Sequence, residues 1–388
     1  MKNYSRPGKG FRGRGHAGET IRESQFLSEE TVPLPLSHEM DSAMSALASF
    51  FKERGETFSD APERVFLRAE YHDKLFSVFL GRNVCFQQSR RDSCLRLEAN
   101  GFLDAEPSGL YDMCLVLGTS QREENLANFG KGLSLVRPGG YFICAFANSL
   151  GAQRYEKIIS ELFPLEYVYS KSHSRVFGII KPELSDKQAE IIESWKSSGD
   201  YKLNADGFFT CPGMFSPEKT DAGSKMLAQW LLKQNSEIFK GCGADMGAGC
   251  GYLALCIAQS QAVNKEISRI DLYENERLSI EAARLNFDRA AKPERLHIGF
   301  FWSDITLEMP SNQYDWIIMN PPFHSGQSKN LGLGRRFAEK AASALRKKGA
   351  LYMVANRSLP YEPVLEKYFR RVEQKYADNS FKVLAAWK

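Results

Sequence analysis

Residues 314–323 read Tyr-Asp-Trp-Ile-Ile-Met-Asn-Pro-Pro-Phe, an apolar run that ends in a proline pair and an aromatic residue. The run 316–319 is typical of a strand buried in a parallel sheet, so Asn320 would stand at the carboxyl end of that strand. Its side-chain amide and the carbonyl before Pro322 can accept the hydrogens of an NH2 group, and Phe323 offers a ring for stacking. The stretch therefore predicts a site for a planar amine, although a plain strand and proline turn also fits.

The same pattern occurs about 200 residues earlier, where residues 111–117 read Tyr-Asp-Met-Cys-Leu-Val-Leu. Each run is followed by an amphipathic helical stretch, at 124–135 and 334–346, then by a glycine turn and an apolar strand ending in Ala-Asn. This shared order predicts that one fold is present twice. Gly118-Thr119-Ser120 replaces Asn-Pro-Pro-Phe after the first run, so we expect the first copy to lack the amine site.

Helical and strand patterns alternate through the second half of the chain, which predicts an α/β parallel sheet with ligands at the carboxyl ends of its strands. Between the copies, a capped polar helix begins near Ser185 and ends near 197–199. The predicted organisation is a basic glycine-rich tail at 1–30, a first domain at 31–183, a linker helix at 184–205 and a second domain at 206–388.

Residues 245–251 read Asp-Met-Gly-Ala-Gly-Cys-Gly, directly before a predicted helix. Glycines there let the backbone approach a ligand closely, and the helix N-terminus offers N–H donors. Glu274 follows the next strand, where an acidic residue can bind ribose hydroxyls, and Asp304 follows the third, where it can accept from an adenine amine. Together they predict a pocket for an adenosine with a charged tail. The alternatives are a structural turn, a solvated glutamate and, for Asp304, a helix N-cap.

Five motifs together resemble class I S-adenosylmethionine-dependent methyltransferases, above all the bacterial ribosomal RNA guanine-N2 methyltransferases of the small subunit, with their large-subunit relatives close behind. The motifs are Pro212-Gly213-Met214-Phe215-Ser216, Asp221-x-Gly223-Ser224, the turn at 245–251, Asn320-Pro321-Pro322-Phe323-His324-x-Gly326 and Phe381-Lys382-Val383-Leu384. The resemblance implies an α/β chain of two tandem Rossmann-like class I methyltransferase domains, of which the N-terminal one is degenerate and serves RNA docking or structure.

The resemblance also implies S-adenosylmethionine as cofactor and assigns residues to it. The implied cofactor-binding residues are Phe215, Ser216, Asp221 and Ser224 at the entrance, Asp245, Gly247 and Gly249 around the methionine part, Glu274 at the ribose, Asp304 at the adenine, and Asn320. The implied catalytic residues, which would hold the target base, are Asn320, Pro321 and Phe323.

The implied reaction is methyl transfer to the N2 amine of a guanine in ribosomal RNA, most directly that of the small subunit. The alternatives are large-subunit ribosomal RNA, another planar amine such as adenine or a glutamine amide, and a non-catalytic RNA-binding protein that kept the fold. A nucleotide-dependent oxidoreductase is disfavoured by the glycine spacing, which is not Gly-x-Gly-x-x-Gly.

Composition and sequence pattern bear on the location of the protein and on its partners. No apolar run reaches the roughly 18 residues that span a bilayer, and no signal-peptide core begins the chain, so we expect a cytoplasmic protein without a membrane partner. Eight cysteines without a Cys-x-x-Cys pair, and six histidines, none paired at i and i+4, predict no metal site. We expect a monomer whose partner is ribosomal RNA or a ribosomal subunit.

The formal net charge of +4 is concentrated in the N-terminal tail, where residues 1–23 hold six basic and two acidic residues. Five glycines interleave with these charges, a composition typical of disorder. The tail could lie on RNA phosphates or could simply aid solubility.

Overall fold

Two mostly parallel sheets form the framework of the protein. The structure is a computed structural model that describes residues 38–58, 60–79, 83–102, 104–234, 238–321 and 327–388. The predicted tail at 1–30 and residues Pro322 and Phe323 of the amine motif lie outside the described residues.

The first sheet has the order β2-β1-β3-β4-β6-β5, in which the first four strands are parallel and β6 is antiparallel to both neighbours. Its strands are β1 (Glu63–Leu67), β2 (Asn83–Gln87), β3 (Tyr111–Leu117), β4 (Val136–Ala147), β5 (Tyr167–Lys171) and β6 (Ser174–Ile180). The helices of this half are α1 (His38–Arg54), α2 (Asp73–Phe76), α3 (Arg91–Ala99), α4 (Arg122–Leu135), α5 (Ala152–Leu162) and α6 (Asp186–Ser197), with 3-10 turns at Gly55–Phe58, Ser77–Phe79 and Asn148–Leu150.

The second sheet has the order β11-β10-β9-β12-β13-β15-β14, so it repeats the neighbour order of the first sheet and adds β11 at one edge. Its strands are β9 (Lys240–Met246), β10 (Glu266–Glu274), β11 (His297–Trp302), β12 (Tyr314–Met319), β13 (Leu345–Asn356), β14 (Arg371–Ala377) and β15 (Phe381–Trp387), and a separate pair is formed by β7 (Lys202–Leu203) and β8 (Phe209–Thr210). The helices are α7 (Ala222–Leu231), α8 (Tyr252–Gln259), α9 (Arg277–Asp288), α10 (Ile305–Glu308), α11 (Gln327–Ala344) and α12 (Glu362–Leu365).

Strand β12 lies at the centre of the second sheet, as its apolar sequence predicts. It runs parallel to β9 and β13, with Met319 beside Met246 and Met353. Trp316 is buried against β9, where a Cβ on Gly243 would lie 2.1 Å from the indole. Chain order reverses between β9 and β12, and the carboxyl ends of strands at such a point form the ligand-binding crevice of open α/β sheets.

Helix α6 begins at the predicted cap, where the side chain of Ser185 accepts from the N–H of Gln188 and completes a capping box. The helix is packed rather than free, because Ile192 is buried and a Cβ on Gly130 of α4 would lie 2.3 Å from the nitrogen of Lys196. The segment between the two sheets therefore contributes to the core of the first half.

Some element boundaries differ from those predicted. The Ser224 N–H falls inside α7, which begins at Ala222, because the Asp221 carboxylate accepts from that N–H and caps the helix. The helix expected at 334–346 ends at Ala344, where β13 begins. Within the described ranges, no helix is long and apolar enough to cross a membrane, and no three metal-ligating side chains cluster.

Candidate active site

The glycine turn after β9 has the backbone conformation that its sequence predicts. Gly247, Gly249 and Gly251 have φ angles of 75°, 54° and 81°, in the left-handed region that favours glycine. The N–H of Gly247 donates to the carbonyl of Tyr273, which ties the turn to β10. Nothing lies within 4 Å of where a Cβ on Gly249 would stand. The turn is therefore fixed on the sheet side and open on the other, as a ligand cradle requires.

Asp245 lies beneath this turn and does not border the adjoining cavity. It is fully buried, and its Oδ2 accepts from the N–H of Ala254 in the first turn of α8 at 3.1 Å. Burial raises its pKa to about 7. Its other carboxylate oxygen has no hydrogen-bond partner within the described part of the chain. In this structure the Asp245 carboxylate therefore holds the start of α8, directly after the glycine turn.

Glu274 and Asp304 both border the cavity, at the carboxyl ends of β10 and β11. The Glu274 carboxylate accepts from the N–H groups of Gly249 at 2.8 Å and Glu276 at 3.0 Å, and burial raises its pKa. Asp304 accepts from the N–H and hydroxyl of Thr306 and is the N-cap of α10. The capping alternative for Asp304 is thus confirmed, and capping leaves its side chain at the cavity wall.

Asn320 follows β12 with its amide held in one orientation. Its Nδ2 donates to the Asp221 carboxylate and to the Ser224 hydroxyl, both at 2.8 Å. Since a carboxylate can only accept, the amide nitrogen must face it and the oxygen must point the other way. That oxygen is buried and has no hydrogen-bond partner among the described residues. The arrangement presents a desolvated acceptor beside Pro321, which borders the cavity with it.

The loop that carries Phe215 and Ser216 forms another part of the cavity wall. The Phe215 ring borders the cavity and is 52% exposed. Ser216 has a positive φ of 51°, and its hydroxyl donates to the carbonyl of Lys219. Of the predicted site residues, Phe215, Gly247, Gly249, Glu274, Asp304, Asn320 and Pro321 line the cavity, and Ser216, Asp221, Ser224 and Asp245 lie behind these lining residues.

The cavity has a volume of about 670 Å³ and lies between the carboxyl ends of strands from both sheets. From the first half it is bordered by Arg68, Gln121, Glu124 and residues 118–120. Sequence reasoning missed this contribution, because no local pattern tells which sheet edges face each other. The segment 118–120 was predicted only to lack the amine motif, yet it faces the cavity that the motif borders.

The loops that follow β2 and β10 join the two halves of the protein. The N–H of Arg91 donates to the carbonyl of Asn275, and the N–H of Arg277 donates to the carbonyl of Ser89, both at 2.8 Å. These two bonds are reciprocal, since both pairs of positions lie two and four residues after corresponding strand residues, Gln87 in β2 and Tyr273 in β10. The indole N–H of Trp302 donates to both carbonyls at 2.9 Å. Asn275 directly follows Glu274, so the first half fixes the segment that carries this carboxylate.

The residues at the cavity suit S-adenosylmethionine. Two carboxylates, the partly buried Glu274 and the buried Asp304, match the hydroxyl and amine donors of an adenosine. The open side of Gly249 leaves room that a side chain would fill. Asn320 offers an unpaired oxygen to an N–H group of a second ligand. This set of groups can therefore hold a nucleoside-like cofactor next to an amine substrate.

Residues 206–385 match the family model described as methyltransferase small domain. The chain is 28% identical to ribosomal RNA small subunit methyltransferase C of Yersinia pseudotuberculosis serotype IB (strain PB1/+). The aligned 332 residues cover 85% of this chain and 86% of that protein. The protein of the same name from Citrobacter koseri is 26% identical over 326 residues, 84% of this chain and 86% of the relative. The match with the Idiomarina loihiensis protein, at 29% identity over 229 residues, covers 58% of this chain and 63% of that protein.

A solved structure shares the fold of nearly the whole chain. The T. thermophilus 16S rRNA N2 methyltransferase RsmC, in complex with AdoMet and guanosine, superimposes with a TM-score of 0.73 at 22% identity, covering 90% of this chain and 92% of that chain. The family model, the glycine turn and the strand order define an S-adenosylmethionine-dependent methyltransferase. The similarity to the ribosomal RNA small subunit methyltransferases C extends through both halves of the chain.

Proposed function

We propose that the protein transfers a methyl group from S-adenosylmethionine to the N2 amine of a guanine in small-subunit ribosomal RNA. The observation that carries this proposal is the Asn320 amide, whose oxygen is buried, unpaired and aimed away from Asp221. A buried acceptor without a partner costs about 1–3 kcal/mol, which an incoming N–H group would relieve. The names of the relatives from Yersinia and Citrobacter support ribosomal RNA of the small subunit as the substrate.

When bound, S-adenosylmethionine supplies an activated methyl group on a sulfonium. The protein then has mainly to align the amine, a contribution of orientation rather than of strong acid–base chemistry. Asn320 Oδ1 and the carbonyl of Pro321 would accept the two hydrogens of the N2 amine and hold its nitrogen lone pair toward the methyl group. The proton released after transfer passes to water or through Asn320 and its neighbours. The guanine must leave its base pair and stack to reach this site, and Phe323 is the platform that the sequence predicts for it.

Gly247 and Gly249 would cradle the methionine part of the cofactor, Glu274 its ribose and Asp304 its adenine. Asp221 and Ser224, expected at the cofactor entrance, are better placed to orient Asn320, since both accept from its amide. This assignment gives the Asp221-x-Gly223-Ser224 motif a physical reason. Asp221 caps α7 and orients the Asn320 amide with the same carboxylate oxygen.

We further propose that the first half is a duplicated methyltransferase fold that no longer binds cofactor. Strand register supports this proposal, because Leu67 pairs with Val116 as Met246 pairs with Met319. Arg68 then stands at the position of Gly247, and both have a positive φ. Its buried guanidinium is paired with Glu124 at 3.2 Å and Glu276 at 3.4 Å.

Two further positions follow the same correspondence. Glu70 replaces Gly249, and its buried carboxylate accepts from Ser93 and pairs with Arg96 at 3.0 Å. Gln88 replaces Glu274. In place of the glycines at 247 and 249, the first half thus carries buried charged side chains that already have partners, which supports the proposal that it does not bind cofactor. Calorimetry should find one S-adenosylmethionine site per chain.

Nucleoside analysis of ribosomal RNA tests the reaction directly. Cells that lack the protein should lose one N2-methylguanosine from the small-subunit RNA, and the wild-type chain should restore it. Asn320→Ala should fail to restore it at equal protein level. An unchanged content of methylated nucleosides would overturn the proposal. Loss from large-subunit RNA or loss of a methyladenosine would identify the corresponding alternative, and a methylated glutamine would be detected by mass spectrometry of ribosomal proteins instead.

A further inference from the structure

We infer that the Phe215 ring is a stacking platform for a base of the RNA substrate, and that Gln121, from the first half, holds this platform in place. The inference rests on the proposed function and deepens it. Phe215 borders the same cavity as Asn320 and is 52% exposed, whereas its neighbour Met214 is buried. An aromatic ring is thus presented at the wall of the cavity while the adjacent side chain anchors the loop.

The loop backbone is held from the first half by one side chain. The N–H of Gly213 donates to Gln121 Oε1, and Gln121 Nε2 donates to the carbonyl of Met214, both at 3.0 Å. Gly213 has a φ of 97°, and a Cβ there would lie 3.1 Å from the Glu124 carboxyl carbon, so only glycine fits. Because the bonds run to consecutive residues, the position of Phe215 depends directly on Gln121.

Such a fixed, exposed ring is suited to a flat partner. Two hydrogen bonds hold the backbone beside it, which lowers the entropic cost of ordering the loop on association. A guanosine that reaches Asn320 must be unstacked from its neighbours, and exposed bases recover stacking energy on aromatic side chains. Every base has a π-face, so the platform serves either the target guanine or the nucleotide beside it. The rival role for Phe215 is contact with the cofactor alone, which predicts a different kinetic signature.

Steady-state methylation of small-subunit RNA separates these roles. Phe215→Ala should raise the KM for RNA about 5- to 100-fold, the range of base–aromatic stacking, and leave the Kd for S-adenosylmethionine within about twofold. Phe215→Leu, which keeps an apolar side chain without a ring, should resemble Phe215→Ala. Phe215→Trp should stay near the wild type. Gln121→Met, which keeps the volume and removes both bonds, should shift the RNA KM in the same direction by a smaller factor.

Tyr376 provides a matched control, because it is 51% exposed on β14 and does not border the cavity. Tyr376→Ala should leave both constants unchanged, and circular dichroism should show every variant folded. The inference is overturned if Phe215→Leu behaves as wild type, or if the Kd for S-adenosylmethionine rises while the KM for RNA stays constant. A wild-type protein that methylates no RNA would instead refute the proposed function.

Discussion

Two substitutions, Asn320→Asp and Asp221→Asn, test the hydrogen bond that orients the Asn320 amide. Asn320→Asp places a carboxylate oxygen where the amide nitrogen now lies, 2.8 Å from the Asp221 carboxylate. Two unit charges at that distance repel by about 6 kcal/mol at an effective dielectric constant of about 20, an upper bound for a partly exposed pair. Even half of this value corresponds to more than a 100-fold change in rate. We therefore expect Asn320→Asp to lower the single-turnover rate of methyl transfer at least about 100-fold.

Asp221→Asn is the compensating change. An asparagine caps a helix as well as an aspartate does, so α7 should remain stable, and alone the substitution should cost no more than about fivefold in rate. Combined with Asn320→Asp, its amide can turn so that the nitrogen donates to the new carboxylate, which again leaves an acceptor oxygen toward the cavity. Because the replaced oxygen is also the one that caps α7, the double variant should lose that cap and about 1 kcal/mol of stability. The double variant should recover at least about tenfold over Asn320→Asp.

The assay is transfer of labelled methyl groups to small-subunit RNA with enzyme in excess. Thermal unfolding of each variant is followed in parallel, so that a misfolded variant is not counted as an inactive one. A folded double variant that shows no recovery would refute the role assigned to the Asp221–Asn320 bond. Full activity of Asn320→Asp alone would refute it equally.

Four further outcomes are expected. Gly249→Ala should cost about 1 kcal/mol of stability for its φ of 54° and weaken S-adenosylmethionine binding in calorimetry, because its methyl group enters the open side of the turn; an unchanged Kd would contradict the cradle. Arg277→Met removes side-chain bonds that join the two halves and should lower the free energy of unfolding by about 2–4 kcal/mol. The control Arg346→Met removes an exposed ion pair and should lower it by less than about 1 kcal/mol. Equal losses would show that the bonds of Arg277 between the halves add nothing to stability. Burial raises the pKa of Asp245 from 3.8 to about 7, so between these pH values the folded chain keeps a proton that the unfolded chain loses, and the free energy of unfolding should fall as pH rises. Urea titrations near pH 5 and pH 8 should show a smaller fall for Asp245→Asn than for the wild type. An identical fall would exclude Asp245 as its source. Removal of residues 1–30 should weaken RNA binding and reduce its salt dependence, and an unchanged salt slope would favour the solubilising role.

Local rules explain how much could be predicted from the sequence. The strand at 314–319, the glycine turn at 247–251 and helix α8 follow from apolar runs and from backbone angles that glycine alone adopts readily. The repeated order of elements predicted two similar sheets, and the structure has two with the same neighbour order. Residues at strand ends were correctly expected at one edge, since parallel strands bring their carboxyl ends together.

The exact role of each side chain was less accessible. Motif resemblance places Asp221 at the cofactor entrance, but it does not show that the Asp221 carboxylate accepts from the Asn320 amide, 99 residues further along the chain. For Asp245, which the resemblance assigns to the methionine part of the cofactor, the structure adds that the side chain is buried and accepts from the N–H of Ala254. A motif shows that a residue matters, but it does not show whether that residue meets the ligand or supports one that does.

The sequence by itself thus determined the strands, the turn and the type of chemistry at the end of β12, because these depend on neighbours within a few residues. Only the tertiary structure decided that the first half, through Gln121 and the loop 89–91, helps to build the cavity of the second. It also decided which way the Asn320 amide faces. Both depend on which surfaces of two separate sheets meet, and that is set by packing between residues far apart in the chain, which no local pattern records.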